Sequence, residues 1–230
     1  CDAFGGPDGA HPDFSILLKA INYSMTSFIG TGGTRGNKKH VGKFYPRSFN
    51  MGIHRKVYET LGGMGKLRHG QDMDYAAKIY EAGFKVRLFH KAYIFHKRRT
   101  SIPKFFRQIF NWGVARINLN LLHPGMLKAV HLLPAAVLLG VLASAVLALL
   151  APAKCLPLLL AVLGGYFCVC LWAIVESYRR YRSFKVALLS ALTLSIQVFA
   201  YGMGLIWGIW KSRKGEIATG FTRNYYGKKN

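Results

Sequence analysis

Two carboxylates stand out at the start of one amphipathic segment in a strongly basic chain. The 230 residues include 32 Lys and Arg but only 9 Asp and Glu, and Asp72 and Asp74 lie one residue apart in "RHGQDMDYAAKIYEAGFKV". The apolar spacing predicts a helix over residues 71–82, which Gly83 ends at its C′ position. Its predicted buried face consists of Met73, Ala76, Ala77 and Tyr80.

The sequence favours Asp72 over Asp74 as the chemically active carboxylate. Asp74 and Lys78 are four residues apart, so an exposed ion pair on the helix surface explains Asp74. Asp72 lies in the first turn, where the helix dipole stabilises a carboxylate without any catalytic role. However, the preceding Gly-rich, basic stretch "GGMGKLRHG" predicts that Asp72 lies at the rim of a cleft. A carboxylate there can take a proton from a bound hydroxyl.

The elements that surround this helix predict a mixed α/β region over residues 1–126. Helical spacing appears at residues 15–29 and 56–61, and "FKVRLFH" and "AYIFHKRR" alternate as strands do. Residues 101–120, which begin "SIPKFFRQIF", have an apolar stripe with basic residues outside it. This pattern predicts either an interfacial helix beside a membrane or an ordinary core-facing helix. Both predictions can hold for the same helix, one at each of its ends.

Residues 127–212 are predicted to form membrane helices. The apolar runs at about 132–153, 155–175 and 186–210 each reach the roughly 20 residues that a bilayer crossing requires. The first two should form a hairpin that turns at Pro152-Ala153-Lys154. The third is either a full crossing or a bent, re-entrant hairpin, because Gly202, Gly204 and Gly208 suit a break as well as close helix packing.

Charge predicts the orientation of these helices. Residues 1–126 and the loop 178–185 are both basic and are separated by two crossings, so both fit the cytoplasmic side. The tail, residues 213–230, is also basic, and a third crossing would place it outside, against the rule. The start "CDAFGGPDG", with neither Met nor signal peptide, suggests a fragment of a longer protein.

Residues 4–116 resemble the C-terminal half of a family 2 glycosyltransferase domain of the GT-A type. The resemblance rests on the order of motifs in "FNMGIHRKVYETLGGMGKLRHGQDMDYAAKIYEAGFKVRLFHKAYIFHKRR". It implies a partial GT-A, Rossmann-like nucleotide-diphospho-sugar transferase fold, followed by the transmembrane region. The first half of such a domain holds the nucleotide pocket and the Asp-x-Asp metal motif, and nothing here supplies either, because Asp72-Met73-Asp74 stands at the position of the base. The fragment alone is therefore expected to be inactive.

The resemblance also implies roles for particular residues. Gln71-Asp72 stands where the family has Glu-Asp, which makes Asp72 the catalytic base. His96 fits a His that helps to hold a divalent cation, Mg²⁺ or Mn²⁺. Gly5 and Gly6 match the loop near the donor sugar. Gln108 and Trp112 match the Gln-x-x-Arg-Trp motif of polysaccharide synthases, although Asn111 replaces its Arg.

Together these features predict a multi-pass inner-membrane enzyme of cell-envelope polysaccharide biosynthesis with its catalytic domain in the cytoplasm. It would move a sugar, with inversion, from a nucleotide sugar to a lipid-linked or polysaccharide acceptor. A non-catalytic membrane-anchored scaffold or binding module is the alternative. The net charge of +23 does not indicate nucleic acid, since no nucleic-acid module is present. Anionic lipids and phosphorylated substrates are the expected partners.

Overall fold

A small α/β region leads into four long helices. The computed structural model describes residues 1–32, 42–65, 67–214 and 217–220. Most of the predicted basic tail lies outside these residues. The strands are β1 (Ala3–Gly5), β2 (Asp8–Gly9), β3 (Met51–Ile53), β4 (Val86–Leu88) and β5 (Ile94–Phe95). The helices are α1 (Ile16–Thr26), α2 (Phe28–Thr31), α3 (Arg55–Leu61), α4 (Gln71–Glu81), α5 (Ile102–Leu122), α6 (Leu133–Leu150), α7 (Pro152–Tyr181) and α8 (Phe184–Lys211).

Two small sheets organise the α/β region. The first has the order β3-β1-β4, in which β1 pairs antiparallel with β3 and parallel with β4. The second pairs β2 with β5 in parallel. Ala3 of β1, Val57 of α3 and Tyr75 and Ile79 of α4 form a buried cluster, so both helices pack on the first sheet. The predicted mixture of helices and short strands is present, and the GT-A class itself stays a prediction.

Helix α4 follows the prediction closely. It begins after Gly70, which has the left-handed φ of +81° that glycine adopts readily, and it ends one residue earlier than expected. Of the predicted inner face, Met73, Ala76 and Ala77 are buried, and Tyr75 and Ile79 join them. Tyr80 is only half-buried, and its hydroxyl donates to the Phe44 carbonyl at 2.8 Å.

Helix α5 packs its apolar stripe inside the protein. Phe105 and Ile109 are fully buried against Ile21 and Met25 of α1 and Ala200 of α8. The core-facing interpretation of the stripe is therefore confirmed, while a position of this helix at a membrane surface stays a prediction. The helix starts at Ile102 rather than 101 and runs two residues past the predicted end.

Helices α6, α7 and α8 are long and apolar enough to cross a membrane, which agrees with the prediction of membrane association. In the most apolar windows of α6 and α7 only 17% and 6% of the residues are buried, so most of their apolar surface is available to lipid. The predicted turn is displaced: Ala151 alone separates α6 from α7, and Pro152 opens α7. Proline fits the first helical turn because no amide hydrogen bond is needed there.

The third apolar segment is one continuous helix. Glycines of α8 are used for close packing rather than for a break. A Cβ on Gly204 would lie 2.0 Å from the Phe110 carbonyl oxygen, and a Cβ on Gly113 of α5 would lie 2.3 Å from the Tyr201 carbonyl oxygen. The backbones of α5 and α8 thus touch through small residues, as helices in membranes commonly do. The structure does not contain the bent or re-entrant form that the sequence left open.

Candidate active site

Five of the predicted site residues line one cavity of about 330 Å³ between α4, α5 and α8. Gln71 and Asp72 come from the start of α4, His96 from the segment after β5, and Gln108 and Trp112 from α5. These positions lie up to 41 residues apart in sequence. The sequence motifs, which were identified separately, therefore converge in space.

Asp72 lies at the N-terminus of α4, at the edge of the cavity. One of its carboxylate oxygens accepts from the Met73 amide at 2.9 Å, and the other lies 3.6 Å from Nη1 of Arg47. Its side chain is 20% exposed, so a hydroxyl in the cavity can reach it. Gln71 is fixed beside it, because its Nε2 donates to the Gly65 carbonyl at 2.5 Å.

His96 belongs to a polar cluster with Asp8 and Arg98. Its Nδ1 lies 3.3 Å from Oδ2 of Asp8, and its ring packs on Phe49 with centroids 3.9 Å apart. Nη2 of Arg98 contacts the same Asp8 oxygen at 2.5 Å, and Nε of Arg98 donates to Oδ1 of Asn22 at 3.2 Å. Burial lowers the pKa of the Arg98 guanidinium, and the charge of Asp8 opposes that shift.

Gly5 and Gly6 lie elsewhere. Neither lines the cavity in the described part of the chain. A Cβ on Gly6 would lie 1.9 Å from the Ala92 carbonyl oxygen, and one on Gly5 would lie 2.6 Å from that of Asn50. Close backbone packing explains both glycines, and their role at a donor sugar stays a prediction. Asn111, which replaces the motif Arg, is buried and also lies outside the lining.

Asp74 is not the exposed residue that the sequence predicted. Its predicted partner is correct, since Nζ of Lys78 lies 2.9 Å from its Oδ2. However, Asp74 is 2% exposed, and its Oδ1 lies 2.8 Å from Nε2 of His123 at the end of α5. The other ring nitrogen of His123 lies 2.6 Å from Glu81. The expectation failed because spacing within one helix cannot show which other element covers it.

The cavity is strongly cationic. Asp72 is the single carboxylate among the described residues that line it, against six Lys and Arg: Arg47, Arg68, Lys97, Arg98, Arg99 and Arg116. His69 also lines it, and burial, together with the charges of Arg68 and Arg99, lowers its pKa. The sequence did not single out these cations, or Tyr201 of α8, as site residues. Only their clustering in space distinguishes them from the other basic residues.

The described residues do not by themselves form a site for a divalent cation. No group of three or more His, Cys, Asp or Glu in this part of the chain could hold a metal. His96 already faces Asp8, which is neutralised by Arg98, and neighbouring Lys97 and Arg99 repel a cation. The predicted Mg²⁺ or Mn²⁺ therefore remains untested.

Comparison with known proteins adds an independent result. The sequence model described as glycosyl transferase family 21 matches residues 30–213, which include α3 to α8. The chain belongs to glycosyl transferase family 21. The prediction of a glycosyltransferase with C-terminal membrane helices is thereby confirmed, whereas the assignment to family 2 itself stays a prediction.

A curated relative of this family 21 chain is named for the biosynthesis of succinoglycan. The chain is 24% identical over 125 residues to the succinoglycan biosynthesis protein ExoA of Rhizobium meliloti (strain 1021). The match covers 54% of this chain and 38% of ExoA, so the chain corresponds to much less than the whole relative. No solved structure matches the chain.

Proposed function

We propose that the family 21 chain is the acceptor side of a membrane-bound, inverting glycosyltransferase. The observation that carries this proposal is the position of Asp72, which lies at a helix N-terminus on the edge of a cavity otherwise lined by cations. A nucleotide sugar would donate the sugar, and a lipid-linked or polysaccharide acceptor would receive it. The similarity to a succinoglycan biosynthesis protein supports a polysaccharide product.

The reaction would be a direct displacement. Asp72 takes the proton of an acceptor hydroxyl, whose oxygen forms a bond with the anomeric carbon of the donor sugar. The bond from that carbon to the diphosphate breaks, and its electron pair leaves with the diphosphate. Arg47, 3.6 Å from Asp72, orients the carboxylate and adds to the positive field of the cavity. A positioned base of this kind contributes about 10²- to 10⁴-fold to a rate.

The same proposal includes the location of the protein. The basic face of the α/β region would lie on the cytoplasmic side of the inner membrane, beside anionic lipids, with α6, α7 and α8 in the bilayer. A divalent cation remains part of the proposal only with ligands other than the described residues, and no step above depends on it.

Transfer from a radiolabelled nucleotide sugar, in membranes that contain the full-length enzyme with its donor-binding half, tests the function. We expect incorporation into a lipid or polysaccharide fraction and its loss in Asp72→Asn, while the amount of folded protein stays the same. Equal incorporation by the wild type and by Asp72→Asn would contradict the role of Asp72. A lack of any transfer activity in the full-length protein would favour the scaffold or binding-module alternative.

A further inference from the structure

Helix α8 differs from α6 and α7 in what surrounds it. In its most apolar window 44% of the residues are buried, against 17% and 6% in α6 and α7. Residues 193–206 are all described, and none of them is exposed. Part of this cover comes from the α/β region: Thr193 donates to the Ala20 carbonyl of α1 at 3.0 Å, and Ala200 packs on Phe105 of α5. Protein thus encloses α8 at levels where α6 and α7 face lipid.

The middle of α8 lies beside polar parts of the α/β region and its cavity. Gln197, near the midpoint of this 28-residue helix, donates to the carbonyl of Gly30 in α2. Tyr201, one turn later, lines the cavity together with Arg116 and the other cations. If α8 crossed the bilayer, these residues would lie near the centre of the hydrocarbon, where charged side chains are costly. The surroundings of α8 therefore argue against a full crossing.

The first part of α8 lies beside the end of α7 that belongs with the α/β region. Helix α7 has 30 residues, about 45 Å at 1.5 Å per residue, and so exceeds a bilayer core of about 30 Å. Near its C-terminal end, Glu176 accepts from the Tyr23 hydroxyl of α1 at 2.7 Å. The hydroxyls of Ser177 and Ser190 lie 2.7 Å apart and join this end to α8. Helix α8 thus begins on the cavity side of the core.

The start of α6 shows how deep the rest of α8 can reach. Helix α6 has 18 residues, about 27 Å, so its first turn must lie close to one surface of the core. That turn meets α8 at Gly202, where a Cβ would lie 2.7 Å from the Pro134 carbonyl oxygen. Beyond Gly202 the helix continues only over residues 203–211. These rise about 14 Å, roughly half the thickness of the core, and cannot reach its other surface.

The chain after α8 returns to α5. Asn118 of α5 holds the backbone of Ala218 by two hydrogen bonds of 2.9 Å, one donated by its Nδ2 and one accepted by its Oδ1. Nε1 of Trp207 donates to the Thr219 carbonyl at 2.9 Å. Helix α5 also lines the cavity. Residues 217–220 therefore lie on the same side of the hydrocarbon core as the cavity.

The exposed end of α8 suits the headgroup region of a bilayer. Trp207 and Trp210 are 40% and 52% exposed, and Nζ of Lys211 lies 5.1 and 4.5 Å from their ring centroids. Tryptophan concentrates at the interface between lipid and water, where lysine contacts lipid phosphates. We propose that α8 docks in the leaflet next to the cavity without crossing the bilayer. Helices α6 and α7 are then the two crossings, and the basic residues 213–230 agree with the positive-inside rule.

Labelling of single cysteines from each side of a sealed membrane tests this topology. The full-length protein, with its native cysteines replaced by alanine, would carry Thr219→Cys after α8. Lys56→Cys on α3 and Ala153→Cys in the first turn of α7 are the references for the two sides, and all three positions are exposed. A membrane-impermeant maleimide would be added to right-side-out and to inside-out vesicles. Labelling in detergent gives the full reactivity of each thiol.

We expect Thr219→Cys to be labelled from the same side as Lys56→Cys, and Ala153→Cys only from the opposite side. Labelling of Thr219→Cys from the side of Ala153→Cys would show that α8 crosses and would overturn the proposal. Labelling of Ala153→Cys from the side of Lys56→Cys would also overturn it, because α6 and α7 would not be crossings. If Thr219→Cys does not react in detergent, the exposed position Arg213, as Arg213→Cys, decides in its place.

Asp72→Asn keeps this test separate from that of the proposed function. The topology does not depend on the transfer reaction, so this substitution should leave the labelling pattern unchanged. If Asp72→Asn retains transfer and Thr219→Cys is labelled with Lys56→Cys, the role of Asp72 fails and the topology stands. If transfer is lost but Thr219→Cys is labelled with Ala153→Cys, the topology fails and the function stands.

Discussion

The two sides of helix α4 use the same residue type for opposite purposes. Asp72 faces the cavity, is 20% exposed and has the single cation Arg47 at 3.6 Å. Asp74, two residues further on, is 2% exposed and contacts Lys78 at 2.9 Å and His123 at 2.8 Å. On the cavity side the carboxylate keeps part of its surface accessible, whereas on the other side it is enclosed by its partners.

This difference separates groups that stabilise the fold from groups that are available to a ligand. The contacts of His123 with Asp74 and Glu81 tie the end of α5 to α4. They thereby hold α4 against the helix that carries Gln108 and Trp112. A paired network of this kind contributes rigidity, whereas Asp72 stays 20% exposed at the edge of the cavity. Substitutions on the two sides should therefore have different signatures.

The largest expected effect is that of Asp72→Asn on the rate of transfer by the full-length enzyme. An amide cannot take the acceptor proton, so we expect a loss of about 10²- to 10⁴-fold in steady-state transfer. The melting temperature should change little, since asparagine is also tolerated near a helix start. A large drop in melting temperature, with the rate per folded molecule unchanged, would show that Asp72 resembles Asp74 and would remove the comparison.

The next largest effect is that of Asp74→Asn on stability. The substitution removes one charge from a buried network, and we expect the free energy of unfolding to fall by about 3 kcal/mol. This is the lower end of the range for a broken buried pair, because the Lys78 and Glu81 side chains are 41% and 57% exposed. Transfer per folded molecule should stay within a few-fold of wild type. Chemical denaturation and a transfer assay normalised to folded protein measure the two quantities.

Glu59→Gln is the matched control for Asp74→Asn. It removes a carboxylate from the exposed pair of Arg55 and Glu59 on α3, which also has i,i+4 spacing and an N–O distance of 2.7 Å. Such surface pairs contribute about 0.3–0.5 kcal/mol. If both substitutions lower the free energy of unfolding by the same amount, the buried contacts of His123 add no stability. Asp74 then behaves as the surface residue that the sequence predicted.

Gly204→Ala should have a smaller effect, on the wall that the cavity shares with α8. A Cβ there would lie 2.0 Å from the Phe110 carbonyl oxygen, so α5 and α8 must separate. We expect the free energy of unfolding to fall by about 1–3 kcal/mol, which is typical of overpacking. Binding in the cavity should also weaken. Gly164→Ala on α7 is the control, because its Cβ would meet nothing within 4 Å. Thermal unfolding in detergent compares the two, and equal melting temperatures would contradict the close packing.

The smallest expected effect is that of His131→Gln on the stability of the protein at acidic pH. Burial, aided by the charges of Arg116 and Lys128, lowers the pKa of His131 from 6.5 to about 4. The unfolded chain therefore binds a proton more readily than the folded one, so this residue's contribution to stability falls as the pH drops from about 6.5 toward 4. His131→Gln should flatten that part of the stability profile. An unchanged profile would contradict this contribution of His131.

The sequence predicted the local elements well because their causes are local. Periodic apolar residues and the flanking Gly70 and Gly83 specify α4, and uninterrupted apolar runs specify α6, α7 and α8. The resemblance also pointed to Gln71, Asp72, His96, Gln108 and Trp112, which line one cavity. The exact turn at Ala151 was missed, because the prediction treated Pro152 as part of a loop rather than as the first residue of a helix.

What the sequence determined by itself is thus the set of helices, their apolar faces, the order of the motifs and the strong positive charge. Only the tertiary structure decided that Asp74 is buried beside His123, that the glycines of α8 serve close packing, and that Arg98 and Tyr201 reach the same cavity as Asp72. Periodicity and caps depend on neighbours within about one helical turn. Burial and the pairing of polar atoms depend on residues that are distant in sequence, such as Asp8 with Arg98, and become visible only when the chain has folded.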